Sequence, residues 1–192
     1  MKINIKTFND WAIKNKDIAM QKGHSNAVDY MFELIRMKSD VFDKSFSFLD
    51  IGCGNGWVVR KVSKLQNCKL AHGVDGAPEM IKKAKSKDDK NNYYLEDIED
   101  WSPPNQYDII FSMEVFYYFN NPSKIINNLK EYLNPNGILI IGIDHYLENT
   151  PSLNWDKEYN ISTNTFSVYD WKSFLIKASL ENVSIFKYAA TK

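Results

Sequence analysis

The sequence of 192 residues predicts an α/β fold: a doubly wound, mostly parallel sheet with helices on both faces. Short apolar segments alternate with segments whose apolar residues have helical spacing, which is typical of βαβ units. The apolar segments do not alternate strictly with polar residues. Strands buried on both sides of a parallel sheet have this character.

The predicted elements are bounded by turn residues and by proline. Six strands are predicted, at Phe46–Ile51, 70–75, 93–95, 108–113, 138–144 and 183–188. Helices are predicted over 56–65 and 170–180 and from Pro78 and Pro122, with a turn at 134–137.

Residues 1–45 are predicted to form an N-terminal helical cap, and residues 46–192 a single structural unit. The cap has a helical pattern over 27–37. Its segment 8–25 mixes aromatic and charged residues, so we expect it to act as a lid over the site.

Composition excludes several classes of function. The 24 basic and 24 acidic side chains cancel, which argues against a nucleic-acid partner. Two cysteines provide neither a disulfide framework nor a metal-ligand cluster, so we expect no metal. With no signal sequence and no apolar run of spanning length, a cytoplasmic protein without membrane attachment is expected.

Three glycines follow the first predicted strand, in "FLDIGCGNGW". Gly52, Gly54 and Gly56 allow positive φ and remove Cβ atoms that would block a ligand lying across the backbone. In open α/β sheets, ligands bind at the carboxyl ends of the strands, beside helix N-termini. The turn therefore predicts a nucleotide-like ligand.

Acidic residues follow the predicted strands at the same edge. Asp50 could accept from a cationic amine, and Asp75 occupies the position at which an acid accepts both ribose hydroxyls. Asp97 could accept from an adenine amine. Nicotinamide-dependent oxidoreductases also have a strand, a glycine turn, a helix and an acid after the second strand. Their glycine fingerprint is G-x-G-x-x-G, however, whereas this chain has G-x-G-x-G.

The set "FLDIGCGNGW", "GVDGAPEMIKKA", "YLEDI" and "YDIIFSMEVFYYF" resembles class I S-adenosylmethionine-dependent methyltransferases, over about residues 46–143. The flanks are similar to microbial small-molecule methyltransferases of the type 11 group. The resemblance implies a Rossmann-like fold, S-adenosylmethionine as cofactor, S-adenosylhomocysteine as product, and a small-molecule acceptor. It gives no oligomeric state.

The resemblance also implies the cofactor contacts. These are Asp50, Gly52, Cys53, Gly54, Asp75, Gly76, Asp97, Ile98, Ser112 and Glu114. A non-catalytic protein that binds the cofactor remains an alternative.

Methyl transfer from a sulfonium needs a base only if the nucleophile must lose a proton. The candidates for a catalytic role are His24, Tyr117 and His145. The open alternatives are helix capping or packing for His24, packing for Tyr117, and an exposed surface position for His145. Glu114, Tyr118 and Tyr146 are further candidates at the mouth of the site.

The family's sheet usually ends with an antiparallel strand between strands five and six. No segment of this sequence predicts that strand, so strand five is expected to lack a neighbour. Loss of the segment, direct pairing of strands five and six, or pairing with a second molecule would each account for this.

Overall fold

The computed structural model describes residues 2–188, and its centre is a five-stranded sheet whose pairings are all parallel. The strands lie in the order β3-β2-β1-β4-β5. They are β1 (Phe46–Ile51), β2 (Cys68–Asp75), β3 (Asn92–Leu95), β4 (Tyr107–Met113) and β5 (Leu133–Gly142). The predicted α/β fold is confirmed, and these five strands match the first five predicted ones.

Seven helices surround the sheet in the described part of the chain. They are α1 (Lys2–Ile13), α2 (Lys16–Lys38), α3 (Trp57–Val62), α4 (Pro78–Lys87), α5 (Pro122–Lys130), α6 (Trp155–Tyr159) and α7 (Val168–Lys177). Proline opens α4 and α5 as predicted, since its fixed φ suits the first helical turn. Helix α3 is shorter than predicted.

The sheet separates two apolar cores. Phe46 and Phe48 of β1 face the core that α2 and α3 cover. Leu49 and Ile51 face the opposite core, which α5 and α7 cover. Each strand therefore buries side chains on both faces, which explains its lack of apolar–polar alternation.

Helices α1 and α2 make up most of the predicted cap. A left-handed Asn15, with φ 57°, separates them. Val28, Phe32 and Ile35 of α2 are buried in the core beside β1, so α2 also covers one face of the sheet. The division into residues 1–45 and 46–192 stays a prediction; Met1 and residues 189–192 at its ends lie outside the described residues.

The predicted sixth strand at 183–188 is wrong, because these residues pair with no strand. The ring of Tyr188 lies 5.3 Å from that of Tyr30, and Lys38 Nζ lies 5.7 Å from the ring of Phe186. The segment thus packs on the outer side of α2. Phe186 and Tyr188 thus lie beside a helix, and the segment does not extend the sheet.

Within the described residues, β5 pairs only with β4, and segment 147–169 contains no antiparallel strand. The predicted turn at 134–137 lies inside β5, where pairing jumps from Tyr107–Leu133 to Ile109–Ile138. None of the described helices combines the length and apolar character needed to cross a bilayer.

Candidate functional site

A cavity of about 470 Å³ lies at the carboxyl ends of the strands. Its walls come from α1, α2, the glycine turn after β1, the ends of β2 and β4, and α6. This is the edge at which open α/β sheets bind ligands. The structure therefore brings the glycine turn and most of the predicted acids to one place.

The glycine turn folds back over the end of β2. The N–H groups of Gly52 and Cys53 donate to Val74 O, at 2.8 and 2.9 Å. Gly52, Gly54 and Gly56 have φ values of 74°, 51° and 73°, in the left-handed region that favours glycine. The predicted need for positive φ is confirmed at all three.

We predicted that the three glycines leave room for a ligand, and this applies to only one of them. A Cβ on Gly52 would lie 2.3 Å from Val115 Cγ2, and one on Gly56 would lie 2.5 Å from Tyr93 Cε1. These two glycines therefore allow protein segments to pack closely. Only at Gly54 would a Cβ meet nothing nearer than Met80 Sδ, at 3.8 Å, beside the open cavity.

Asp75 closes the base of the turn. Its two carboxylate oxygens accept from Gly54 N at 2.9 Å and from Ala77 N at 2.8 Å. Burial raises the pKa of Asp75, while the Ala77 and Gly54 amides oppose that rise. Each oxygen keeps a lone pair for a further donor, so the carboxylate can still bind hydroxyl groups.

Asp50 lies in the same wall and is 3% exposed. Burial and then the charge of Asp75 raise its pKa well above the ordinary value. Two acids that share a buried site favour a bound cation. A positive charge stabilises their ionised forms, which burial disfavours, and offsets the repulsion between the two carboxylates.

A polar network that was not predicted from the sequence holds the glycine turn from outside. Asn55 Nδ2 donates to Asp17 Oδ2 at 2.8 Å, and Lys83 Nζ lies 2.6 Å from Asp17 Oδ1. Asp17 is 3% exposed, and this network joins α2, the turn and α4. Asn55 was visible within the motif, but its partners are distant in sequence.

The remaining predicted cofactor residues divide into two groups. Gly76, Ile98 and Cys53 line the cavity. Ser112 lies outside its wall: it is fully buried, and its hydroxyl donates to Ile51 O at 2.9 Å. Asp97 also lies outside the wall, and its carboxylate accepts from Glu99 N at 3.2 Å.

Glu114 begins the segment after β4 and has an unusual backbone, with φ 61°. Its carboxylate accepts from the Tyr117 hydroxyl at 2.8 Å, and that hydroxyl lies 3.1 Å from the Tyr118 hydroxyl. Its other oxygen, Oε1, is buried without a hydrogen-bond partner among the described residues. Burial raises the pKa of Glu114 to about 8. The negative charge of Asp144 also raises this pKa, whereas hydrogen bonds from the Tyr117 hydroxyl and the Asp144 backbone N–H lower it.

The two predicted histidines have different surroundings. His24 lines the cavity, and burial lowers its pKa against the opposing charge of Asp144, which favours the neutral ring. His145 does not line the cavity and is fully buried. Its ring nitrogens lie 3.0 Å from Ser152 O and 2.9 Å from Thr165 Oγ1. The position after β5 suggested exposure, but the 145–165 loop folds over this ring.

Helices α1 and α6 contribute aromatic residues to the wall. Phe8 and Trp11 of α1 lie in the predicted lid 8–25, whereas Trp155 and Tyr159 of α6 were not predicted. Asn4 Nδ2 donates to Ser162 O at 2.9 Å, and Ser162 N donates to Asn4 Oδ1 at 2.7 Å. This pair of hydrogen bonds fixes α1 against the segment after α6.

Residues 49–141 match the family model of a methyltransferase domain. These residues are a class I methyltransferase domain. The predicted family and Rossmann-like fold are confirmed, and this family uses S-adenosylmethionine. No group of three or more His, Cys, Asp or Glu within residues 2–188 could hold a metal ion.

Two curated relatives indicate the range of similar proteins. Malonyl-[acyl-carrier protein] O-methyltransferase 2 of Ilyobacter polytropus is 33% identical over 141 residues, which cover 69% of this chain and 54% of the relative. The mitochondrial ubiquinone biosynthesis O-methyltransferase of Schizosaccharomyces pombe is 30% identical over 143 residues, or 71% and 50%. The chain thus spans about half the length of these relatives.

Solved methyltransferase structures share the fold. A chain in the complex between the Haloferax volcanii Trm112 methyltransferase activator and a methyltransferase is 25% identical, with a TM-score of 0.79. The match covers 89% of this chain and 75% of that one. A chain of the DhpI complex with S-adenosylhomocysteine is 16% identical, with a TM-score of 0.69 and coverage of 92% and 86%.

Proposed function

We propose that this protein transfers a methyl group from S-adenosylmethionine to a small molecule and releases S-adenosylhomocysteine. The observation that carries the proposal is the Asp75 carboxylate, held by two backbone N–H groups beside the glycine turn. This arrangement presents free lone pairs to a pair of ribose hydroxyls.

The other wall residues fit the remaining parts of the cofactor. The backbone of Gly52 and Gly54 would border its methionine portion, and Asp50 would attract its ammonium group. Gly76 and Ile98 would border the adenine. Asp97 and Ser112 are not included in this proposal, because both lie outside the cavity wall.

Bound S-adenosylmethionine supplies an electrophilic methyl group whose leaving group departs as a neutral thioether. The residues of this chain contribute mainly by position and by exclusion of water. Helices α1 and α2, which include most of the predicted lid 8–25, close one side of the cavity. Tyr117 and His24 line the cavity and remain candidates for contact with the acceptor; His145 does not line it.

A small acceptor is favoured over nucleic acid by the balance of 24 basic and 24 acidic side chains. The names of the two curated relatives specify O-methylation of an acyl-carrier substrate and a step of ubiquinone biosynthesis. Neither acceptor is assumed for this chain. A cytoplasmic location is also proposed, supported by two unpaired cysteines, Cys53 and Cys68.

Calorimetric titration of the full chain tests this proposal. We expect S-adenosylmethionine and S-adenosylhomocysteine to bind in the micromolar range, while NAD shows no heat of binding. Saturation at a hundredfold excess over the dissociation constant should add about 2.7 kcal/mol to the unfolding free energy. Preferential binding of NAD would support the oxidoreductase, and no binding of either sulfur compound would refute the proposal.

Transfer itself is tested by following release of S-adenosylhomocysteine in the presence of pooled small metabolites. If S-adenosylhomocysteine is released only when a metabolite pool is added, the protein is an enzyme. If no pool causes release, the protein only binds the cofactor.

A further inference from the structure

Six aromatic side chains that line the cavity contact one another in a closed circuit, which we call the aromatic circuit. In order around it, they are Tyr118, Phe8, Trp11, Tyr159, Trp155 and Tyr117. Successive ring centroids lie 5.3, 5.2, 5.9, 6.2 and 6.3 Å apart, and Tyr117 returns to Tyr118 at 4.4 Å. The circuit joins α1, the turn after β4, and α6.

The aromatic circuit extends from the interior of the cavity to its rim. Tyr117 and Tyr118 are 2% and 8% exposed, whereas Tyr159 is 38% exposed. A ligand at this end would therefore meet aromatic side chains over much of its surface. Aromatic faces carry negative potential and attract cations, most strongly where water is excluded.

A buried acid lines the same cavity as the aromatic circuit. Glu114 is 9% exposed and lines the cavity, and one of its oxygens is engaged by Tyr117. The second, Oε1, is buried without a hydrogen-bond partner in the described part of the chain. A buried carboxylate oxygen left in this state is costly unless a ligand donates to it.

The charges of the cavity wall point to the same kind of ligand. Its acids are Asp17, Asp50, Asp75 and Glu114, and the described wall contains no lysine or arginine. Lys83 neutralises Asp17 from outside, and the proposed function assigns Asp50 and Asp75 to the cofactor. Glu114, which the family resemblance placed among the cofactor contacts, has no part in that assignment, and we reassign it to the acceptor. An anionic acceptor would find no opposite charge in the described wall.

We propose that the acceptor is a small protonated amine, bound with its nitrogen between the aromatic circuit and Glu114. The inference rests on the proposed function, since it concerns the acceptor end of the same cavity. It differs from the O-methylation that the names of the curated relatives describe.

Binding of the ammonium displaces the proton of Glu114 to solvent, and the Glu114 carboxylate then serves as the proton acceptor. One N–H proton of the ammonium passes to Glu114 Oε1, which leaves a neutral amine with a lone pair. That lone pair attacks the methyl carbon, so an N–C bond forms while the C–S bond breaks and its electrons remain on sulfur. The product is a methylated ammonium with a neutral thioether, and Glu114 returns its proton to solvent.

The groups facing Glu114 are the hydroxyls of Tyr117 and Tyr118 and the backbone N–H and carboxylate of Asp144. Neutral His24 lines the same cavity. None of these supplies a positive charge. An incoming ammonium would be the first cation beside Glu114 and would favour its ionised form.

Three matched probes test the charge preference on protein saturated with S-adenosylhomocysteine. They are benzylammonium, benzyl alcohol and benzoate, which share one ring and differ in charge, and the ammonium keeps the N–H groups that the proposal requires. We expect the cation to bind at least tenfold more tightly than the other two by calorimetry. Equal or tighter binding of benzyl alcohol or benzoate, or no binding of any probe, would overturn the proposal.

Two variants identify the groups responsible. Glu114→Gln and Trp155→Leu should each weaken binding of the cation about tenfold and leave that of S-adenosylhomocysteine within twofold. Glu33→Gln removes an exposed acid of α2 with the same change in charge and should change neither affinity. If Glu114→Gln binds the cation as tightly as the wild type, Glu114 has no such role.

The cofactor titration separates this inference from the proposed function. Failure of S-adenosylhomocysteine to bind would refute the methyltransferase itself. Binding of S-adenosylhomocysteine without preference for the cationic probe would refute only the amine acceptor.

Discussion

The two ends of the cavity are built in different ways. The cofactor end consists of the glycine turn and Asp75, where successive strand ends meet and backbone N–H groups satisfy the acid. The acceptor end consists of the aromatic circuit and Glu114, assembled from segments as distant as Phe8 and Trp155. One end depends on local backbone geometry and the other on side chains that meet only after folding.

This difference predicts where substitutions act. At the cofactor end, a changed residue disturbs the backbone, so it should alter stability and cofactor affinity together. At the acceptor end, a changed side chain should alter recognition or pH dependence with little effect on the sheet.

The largest effect is expected from Gly56→Ala. The new Cβ would lie 2.5 Å from Tyr93 Cε1 and 2.9 Å from Ala84 Cβ, at a φ of 73°. Backbone strain and overpacking together should lower the free energy of unfolding by about 2–5 kcal/mol.

Urea denaturation measures this loss, and Gly23→Ala is its control. Gly23 lies inside α2 with nothing within 4 Å of its Cβ position, so alanine there should stabilise the protein by about 0.5–1 kcal/mol. Similar effects at the two positions would show that close packing at Gly56 does not matter.

The second effect concerns Asp75→Asn. The amide side chain keeps one acceptor but cannot satisfy both Gly54 N and Ala77 N. We expect a loss of about 1.5–3 kcal/mol in binding of S-adenosylhomocysteine, by calorimetry. Because one of the two amides loses its acceptor, we also expect a loss of unfolding free energy of about 1–3 kcal/mol. Unchanged affinity in a folded variant would contradict the assignment.

The third effect is a difference in pH dependence between the wild type and Glu114→Gln. Folded Glu114 holds its proton to about pH 8, whereas the ordinary pKa is 4.5. The folded state therefore binds more protons between these values, and wild-type stability falls as pH rises through this window. Glutamine removes that contribution. Relative to the wild type, the variant should gain about 1 kcal/mol of unfolding free energy for each pH unit between pH 5 and pH 8, which denaturation at several pH values measures. Parallel curves would show that Glu114 ionises normally.

The smallest effect is expected from Thr7→Val, at a residue that holds two segments of the acceptor end together. The Thr7 hydroxyl donates to Asn160 O at 2.9 Å, beside the paired hydrogen bonds of Asn4 and Ser162. Loss of this one bond from a nearly isosteric side chain should lower the unfolding free energy by about 0.5–1.5 kcal/mol. Affinity for S-adenosylhomocysteine should change less than threefold. A tenfold loss would show that α1 controls the cofactor end as well.

The sequence by itself determined the first five strands, the position of the glycine turn and the role of positive φ within it. These features follow from short-range rules, because apolar runs, glycine and proline restrict the backbone wherever they occur. Asp75 was also found in this way, since an acid at the end of the second strand must lie beside the first turn.

Only the tertiary structure decided which side chains face the cavity. Ser112 lies near the carboxyl end of β4 and His145 follows β5, yet each is buried and hydrogen-bonded to a neighbouring segment. The 183–188 segment is apolar enough for a strand but packs on α2 through Phe186 and Tyr188. The aromatic circuit has no signal in the sequence, because its members come from three distant segments. Their contact depends on how α1 and α6 pack over the sheet. Because this packing joins residues far apart in the sequence, it produces no local sequence pattern.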